Sequence, residues 1–442
     1  MKRARASKAH RVFRFAVSVI RDYPVRGLIF IGVVALSFCV TYFAAPMLFR
    51  VQYDKMTAGV SAAATSTPVK NENMFAATHE PTPFPVKGIY MTSCVAGSKT
   101  VRNNLVKLIA DTELNSVVID VKDYSGGISF VPHDPELKKF VSDRCVAADM
   151  PEFIASLHAK NIYVIGRITV FQDPLLAALR PDLAVKKKSD GTTWKDYKGI
   201  SFTDPGSKEV WDHTIAIAKE SYSIGFDELN FDYIRFPSDG PMEDIYYSWS
   251  IGKKKSDVLA GFFSYLNEKL KPTGVVLSAD LFGMTTTNTD DLNIGQVLEN
   301  TLPYFDYVSP MVYPSHYPAT FLGYKNPAAY PYEVVRYSLD AAVKRTIATT
   351  TLAEVWGEKP ISTTTKPFSY KKEAFNADKI RPWLQDFNLG AVYTADMVDK
   401  QIKAVYDSGL SGWVLWNASN RYTAAALQSA GVTDVSTAGS RE

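Results

Sequence analysis

Gly225-Phe226-Asp227-Glu228-Leu229-Asn230-Phe231-Asp232-Tyr233-Ile234-Arg235-Phe236-Pro237 reads as a β-strand. A glycine opens it, a proline closes it, and aromatic or branched residues alternate with polar ones between. Leu229, Phe231 and Tyr233 fall on one parity, and Glu228, Asn230 and Asp232 on the other. So acidic a face belongs either to a surface or to an interior that needs charge. The flanking sequence decides between them.

Working outward, short apolar runs recur at 86–92, 116–123, 161–170, 226–236, 274–282, 305–313, 380–387 and 412–417. Helical patterns lie between most of them, at 101–112, 150–160, 207–223, 254–270, 290–302, 332–345 and 395–408. Strands alternating with helices in this way predict an α/β fold, a (β/α)8 TIM barrel over residues 86–430. No glycine-rich loop follows the first strand, which argues against a dinucleotide-binding fold. Two connections are long, 172–206 and 346–379, and both are expected to wall a cleft at the barrel mouth. The first holds Lys188-Ser189-Asp190-Gly191, a hairpin-type turn.

Strands of a parallel barrel are buried on both faces and ought to be nearly all apolar. Here they turn polar toward their C-terminal ends. The second carries Asp120, Lys122 and Asp123, the third Arg167, and the fourth Glu228, Asn230 and Asp232 with Arg235 just beyond. The fifth carries Ser278 and Asp280, the sixth ends at Tyr313 and His316, the seventh offers Trp383, Gln385 and Asp386, and the eighth ends Trp416-Asn417. One charged strand end is a local ion pair as often as a site. Recurrence around the ring points to a site at the mouth.

The residue types narrow the chemistry. Only His316 among 6 histidines falls at a strand end, so no histidine-based metal set assembles, and no cofactor is called for. Gly-x-Ser-x-Gly is absent, and the acidic neighbours of Lys122 keep it charged rather than nucleophilic. Paired carboxylates with aromatics for stacking and Arg or Asn for hydroxyl groups fit glycosidic-bond cleavage. Asp232 and Asp280 end adjacent strands on the inward face and form the first pair to test, with Arg167 placed to keep Asp232 ionised. Asp120, Asp123, Glu228 and Asp386 are rivals, and Glu228, lying deeper, suits an ion pair with Lys122 or Arg167. Trp416 leads the stacking candidates, ahead of Tyr124, Tyr233, Tyr313, Tyr317 and Trp383.

The remaining sequence bears on location. Residues 1–26 form a basic tail with eight Lys or Arg against Asp22, and residues 27–49 run without a charge, long enough to span a bilayer. Basic flanks stay cytoplasmic, which predicts an uncleaved single-pass anchor in the cell membrane with the bulk of the chain outside, a cleaved signal peptide being the rival reading. Residues 50–85, rich in Ala, Thr, Ser and Pro, read as a flexible linker, and 431–442 as a tail. The net charge is +3, much of its excess lies in the basic tail, and no basic stripe suggests a nucleic-acid partner. Of 3 cysteines, Cys94 and Cys145 fall in the extracytoplasmic part and either pair or remain free thiols.

Six blocks occur in a characteristic order. They are Val86-Lys87-Gly88-Ile89-Tyr90, the run from Asn115 to Asp123, the stretch quoted at the outset, Ser278-Ala279-Asp280-Leu281-Phe282-Gly283, the run from Asp306 to Tyr317, and Gly412-Trp413-Val414-Leu415-Trp416-Asn417. Together they resemble a bacterial family of glycoside hydrolase domains, over roughly residues 85–430. The resemblance implies a barrel related to retaining glycosidases of the α-amylase and α-galactosidase kind, in which the fourth strand ends in the nucleophile, here Asp232. Related barrels place the acid after the fifth or sixth strand. The sixth has no carboxylate near Tyr313, which favours Asp280. Phe202 stands where such proteins carry Trp.

The expectation is a membrane-anchored glycoside hydrolase acting on a polysaccharide or oligosaccharide. A non-catalytic polysaccharide-binding or envelope-organising module on the same barrel is the alternative, and a carboxylate–metal deacetylase a third reading.

Overall fold

Eight parallel strands close into a ring: β1 (Lys87–Met91), β2 (Ser116–Lys122), β3 (Tyr163–Thr169), β4 (Glu228–Asp232), β5 (Val276–Phe282), β6 (Tyr307–Met311), β7 (Trp383–Gln385) and β8 (Trp413–Trp416). Each pairs with its neighbours in sequence, and β8 returns to β1. The structure, a computed structural model, describes residues 77–364 and 366–430. These belong to the second of two compact units, Asn73–Glu442. The basic tail, the apolar segment, residues 50–76 of the linker and the tail 431–442 lie outside the described residues. Among the described residues no helix is long and apolar enough to cross a membrane.

The connecting helices are α1 (Lys99–Asp111), α2 (Met150–His158), α3 (Lys208–Ser223), α4 (Lys255–Leu270), α5 (Leu298–Thr301), α6 (Pro331–Ile347) and α7 (Ala395–Asp407). Strand periodicity creates two cores. Outward residues such as Val117, Ile119, Leu229, Phe231, Leu277 and Leu281 pack under the helices. Inward ones, among them Tyr90, Val118, Tyr163, Ile165, Trp383 and Val414, fill the barrel itself. Gly166 shows how closely the outer layer fits, since a Cβ there would stand 2.9 Å from both Phe226 and Val121.

The structure departs from the sequence reading at four places. The helix expected over 290–302 shrinks to Leu298–Thr301, because Leu292, Asn293 and Gly295 all take positive φ. The fourth strand stops at Asp232, where Tyr233 turns to φ 50°. The insertion 346–379 follows a helix, not a strand. It lies over the outside, with Thr351 bonded to Glu299 and Glu354 paired with Lys254, and lines neither cleft at the mouth. Residues 77–85, read as linker, are bound to the barrel: Glu80 N–H donates to Asp227 at 2.7 Å, the Thr82 and Tyr163 hydroxyls meet at 2.9 Å, and His79 stacks on Tyr222 at 4.0 Å. The insertion after β3 does wall the mouth. Its hairpin at Gly191 feeds a small antiparallel sheet, Lys186–Lys187 with Ile245–Tyr246.

Candidate active site

The polar parity of β4 points inward, and each member has a different partner. Deepest is Glu228, fully buried and ion-paired with Arg381, with Tyr163 donating to it at 3.3 Å. Neither Lys122 nor Arg167 is its partner. Asn230, one step up, donates to Ser278 at 3.1 Å and to Asp280 Oδ1 at 2.8 Å. Asp232 tops the strand.

Arg167 on β3 links two carboxylates. Its Nη1 donates to Asp120 Oδ1 at 2.6 Å, while Nε, at 3.1 Å, and Nη2 both reach Asp232 Oδ2. The other Asp232 oxygen accepts the Tyr233 backbone N–H at 2.6 Å. That bond forms where the chain adopts φ 50°, a left-handed conformation costing a bulky residue on the order of 1–3 kcal/mol. Donors to the ionised form favour it. Asp232 thus accepts from three N–H groups.

Asp280 is treated oppositely. Asn230 pairs with Ser278 across β4 and β5, so Asp232 and Asp280 come opposite one another two residues on. Burial, and then the neighbouring Asp232 charge, push the Asp280 carboxyl well above its ordinary value. Its Oδ1 accepts from Asn230 and, at 2.7 Å, from the Trp383 indole. No donor among the described residues reaches Oδ2, which is where a proton would sit. Asp120 is also buried. That pushes its carboxyl up to about 6 against the pull of Arg167 and of the Tyr90 hydroxyl, which donates to Oδ2.

Above this layer lies Trp416. It stacks on Tyr90 with ring centres 3.9 Å apart, meets Trp383 edge-on at 5.5 Å, and has the Arg167 guanidinium 5.1 Å from its ring. A cleft of about 1230 Å³ opens on one side, lined by Asp120, Asp123, Tyr124, Arg167, Tyr233 and Arg235, and by Asp196, Lys198 and Phe202 of the first insertion. A second, of about 680 Å³, opens on the other, lined by Tyr313, His316, Asp386, Phe387 and Asn417. Trp416 lines both. Asp232 and Asp280, 4% and 1% exposed, lie beneath rather than in either lining.

Most of the residues singled out in the sequence therefore gather at the mouth. Lys122 does not. The strand register shifts between Asp120 and Lys122, and Lys122 turns away to a buried ion pair with Asp173 at 2.5 Å. Trp383 is fully buried and holds Asp280 rather than offering a face to a sugar. Asn417 shapes its own loop, donating to the Asp386 and Arg421 carbonyls. Asp386 is committed to Thr423 through both oxygens. Two residues were missed: Tyr90, legible from the inward parity of Gly88-Ile89-Tyr90, and Arg381, which precedes β7 and meets its partner across the barrel. Cys94 and Cys145 are bonded to one another at the rim of the larger cleft.

A closed eight-stranded parallel barrel hosts many chemistries, and two buried carboxylates near its mouth are groups that glycosidic-bond cleavage uses. The chain belongs to the family described as "Putative glycosyl hydrolase domain", whose model matches residues 88–422. Among solved structures, the glycoside hydrolase domain of PgaB (BpsB) from Bordetella bronchiseptica aligns with a TM-score of 0.52 over 75% of this chain and 94% of that one, at 13% identity. That likeness is one of fold. A hypothetical protein from Ruminiclostridium thermocellum is 35% identical over 43% of this chain and 96% of its own, with a TM-score of 0.40. An α-galactosidase from Thermus thermophilus aligns at 0.44 with 11% identity, over 77% of this chain and 59% of that one. No curated protein matches.

Proposed function

We propose that the protein cleaves an O-glycosidic bond in a polysaccharide of the cell envelope, with Asp232 as nucleophile and Asp280 as general acid. The observation that carries this is the contrast between them. Asp232 is clamped by Arg167 and a backbone N–H, while Asp280 is driven toward its neutral form by burial and by Asp232 itself. A carboxyl driven toward its neutral form beside one bound by a guanidinium and a backbone N–H fits a division into acid and nucleophile.

In the first step an Asp232 oxygen forms a bond to the anomeric carbon as the bond to the leaving oxygen breaks, and Asp280 gives that oxygen its proton from Oδ2. In the second, the Asp280 carboxylate takes a proton from water, whose oxygen displaces Asp232 and leaves the configuration retained. Placement opposite one another on adjacent strands supports a closely spaced pair, and with it retention, over the wider separation of inversion. The basic flank and charge-free segment at 1–49 support a membrane anchor, and the Cys94–Cys145 bond supports an oxidising compartment outside the cytoplasm.

Incubation with a panel of bacterial envelope polysaccharides, read by new reducing ends, tests the reading. Asp232→Asn is expected to abolish cleavage with the fold intact. Undiminished turnover by that variant would sink the assignment. The non-catalytic alternative draws on one observation, the near-complete burial of both carboxylates. It predicts glycan binding indifferent to neutralisation of Asp232 and Asp280, and no turnover.

A further inference from the structure

The two clefts divide the mouth by strand. The larger takes Tyr90, Asp120, Arg167 and Tyr233 from the β1–β4 side, and the smaller takes Tyr313 and Phe387 from the β6–β7 side. Trp416 and Ala418 border both. Asp232 is held by Arg167 of the first group, and Asp280 by Asn230 of β4 and by Trp383 of β7. Asp280 is thereby bonded from both sides of the division.

We infer that the substrate is a long glycan chain laid across both clefts and cut internally, with its glycone units in the larger cleft and its aglycone units in the smaller. This rests on the hydrolase reading above and adds to it the mode and direction of binding. A chain-end enzyme needs a single pocket closed around a terminal sugar. Here two openings share Trp416 and Ala418 as a common border, and the larger alone, at about 1230 Å³, exceeds the roughly 300–1,000 Å³ that encloses a drug-sized ligand. The direction follows from roles. The sugar attacked by Asp232 lies on the Arg167 side, and the oxygen protonated by Asp280 leads away on the Trp383 side. Tyr124, 63% exposed in the larger cleft, and Phe387 in the smaller offer faces for sugars distant from the cut.

The test uses the same polysaccharide panel with the full chain, resolving product lengths at early time points. The expected result is a drop in mean chain length with oligosaccharides as first products. Phe387→Ala, and separately Ala at the exposed Arg421 that also lines the smaller cleft, should each slow polymer cleavage about three- to tenfold, the loss of one stacking or polar contact, and Arg421→Ala should do so with melting temperature unchanged. Monosaccharide as first product, or cleavage indifferent to both variants, overturns the internal mode while leaving the hydrolase reading in place. A panel with no polymer cleaved, or cleavage persisting in Asp232→Asn, removes that reading and this inference with it.

Discussion

Trp383 donates its indole N–H to Oδ1 of Asp280 at 2.7 Å, from a strand two places further round the barrel. A donor to the ionised form stabilises it, so this bond restrains the upward push that burial gives the Asp280 carboxyl. Trp383→Phe keeps the ring and removes the N–H. The Asp280 carboxyl should then rise further, and the general acid should stay protonated to higher pH. A hydrogen bond to a charged group contributes about 1.5–3 kcal/mol, so the basic limb of the kcat/KM profile should move up by roughly 1–2 pH units. A limb that stays in place, or moves down, would show that Asp280 is not the acid.

Asp120 titrates within reach of ordinary buffers. Burial pushes it up to about 6 from 3.8, so the folded protein binds this proton more tightly than the unfolded chain. The stability it confers is complete below about pH 3.8 and is lost as pH rises through 6. Asp120→Asn has no proton to lose there. The difference in unfolding free energy, variant minus wild type, should therefore shift in the variant's favour between pH 4 and pH 7, by roughly 2 kcal/mol. Urea unfolding at the two pH values measures it, and a constant difference would refute the assignment.

Much of this site was legible because charge inside a barrel strand has few explanations. Asp232, Asp280 and Arg167 interrupt runs that should be apolar on both faces, and their common parity placed them in one interior. What escaped was non-local. The partner of Glu228 is Arg381, 153 residues away and outside any pattern around β4. Lys122 obeyed the alternation on paper, but a register shift after Asp120 turned it to Asp173. Residues 77–85 look like linker by composition, yet their backbone and hydroxyl groups find acceptors at Asp227 and Tyr163. Composition reports chain entropy, not whether a hydrogen-bonding surface waits nearby.

The Cys94–Cys145 bond closes a loop with a sequence separation of 51. Closing a loop of that size in the unfolded chain is expected to contribute about 2–4 kcal/mol. The paired replacement Cys94→Ser with Cys145→Ser should lower the denaturation midpoint accordingly, and a reductant should destabilise the wild type but not the variant. Equal stability of the two proteins would mean that the bond does not form in solution.

Glu228 and Arg381 form an ion pair at the bottom of the barrel with side chains 0% and 3% exposed. Arg381 also lies over the Tyr307 ring at 4.3 Å. Removing one charge leaves the other buried and unpaired, whereas removing both can be nearly neutral if the space is refilled. Arg381→Met should therefore destabilise the barrel by about 3–5 kcal/mol, and adding Glu228→Met should restore most of that loss. Chemical denaturation of the two single variants and the double variant forms the cycle. Because the pair lies below Asn230 and touches neither Asp232 nor Asp280, the double variant should keep wild-type kcat once folded. Loss of kcat in a stable double variant would mean that the barrel floor also sets the position of Asn230, and through it the hydrogen bond on Asp280.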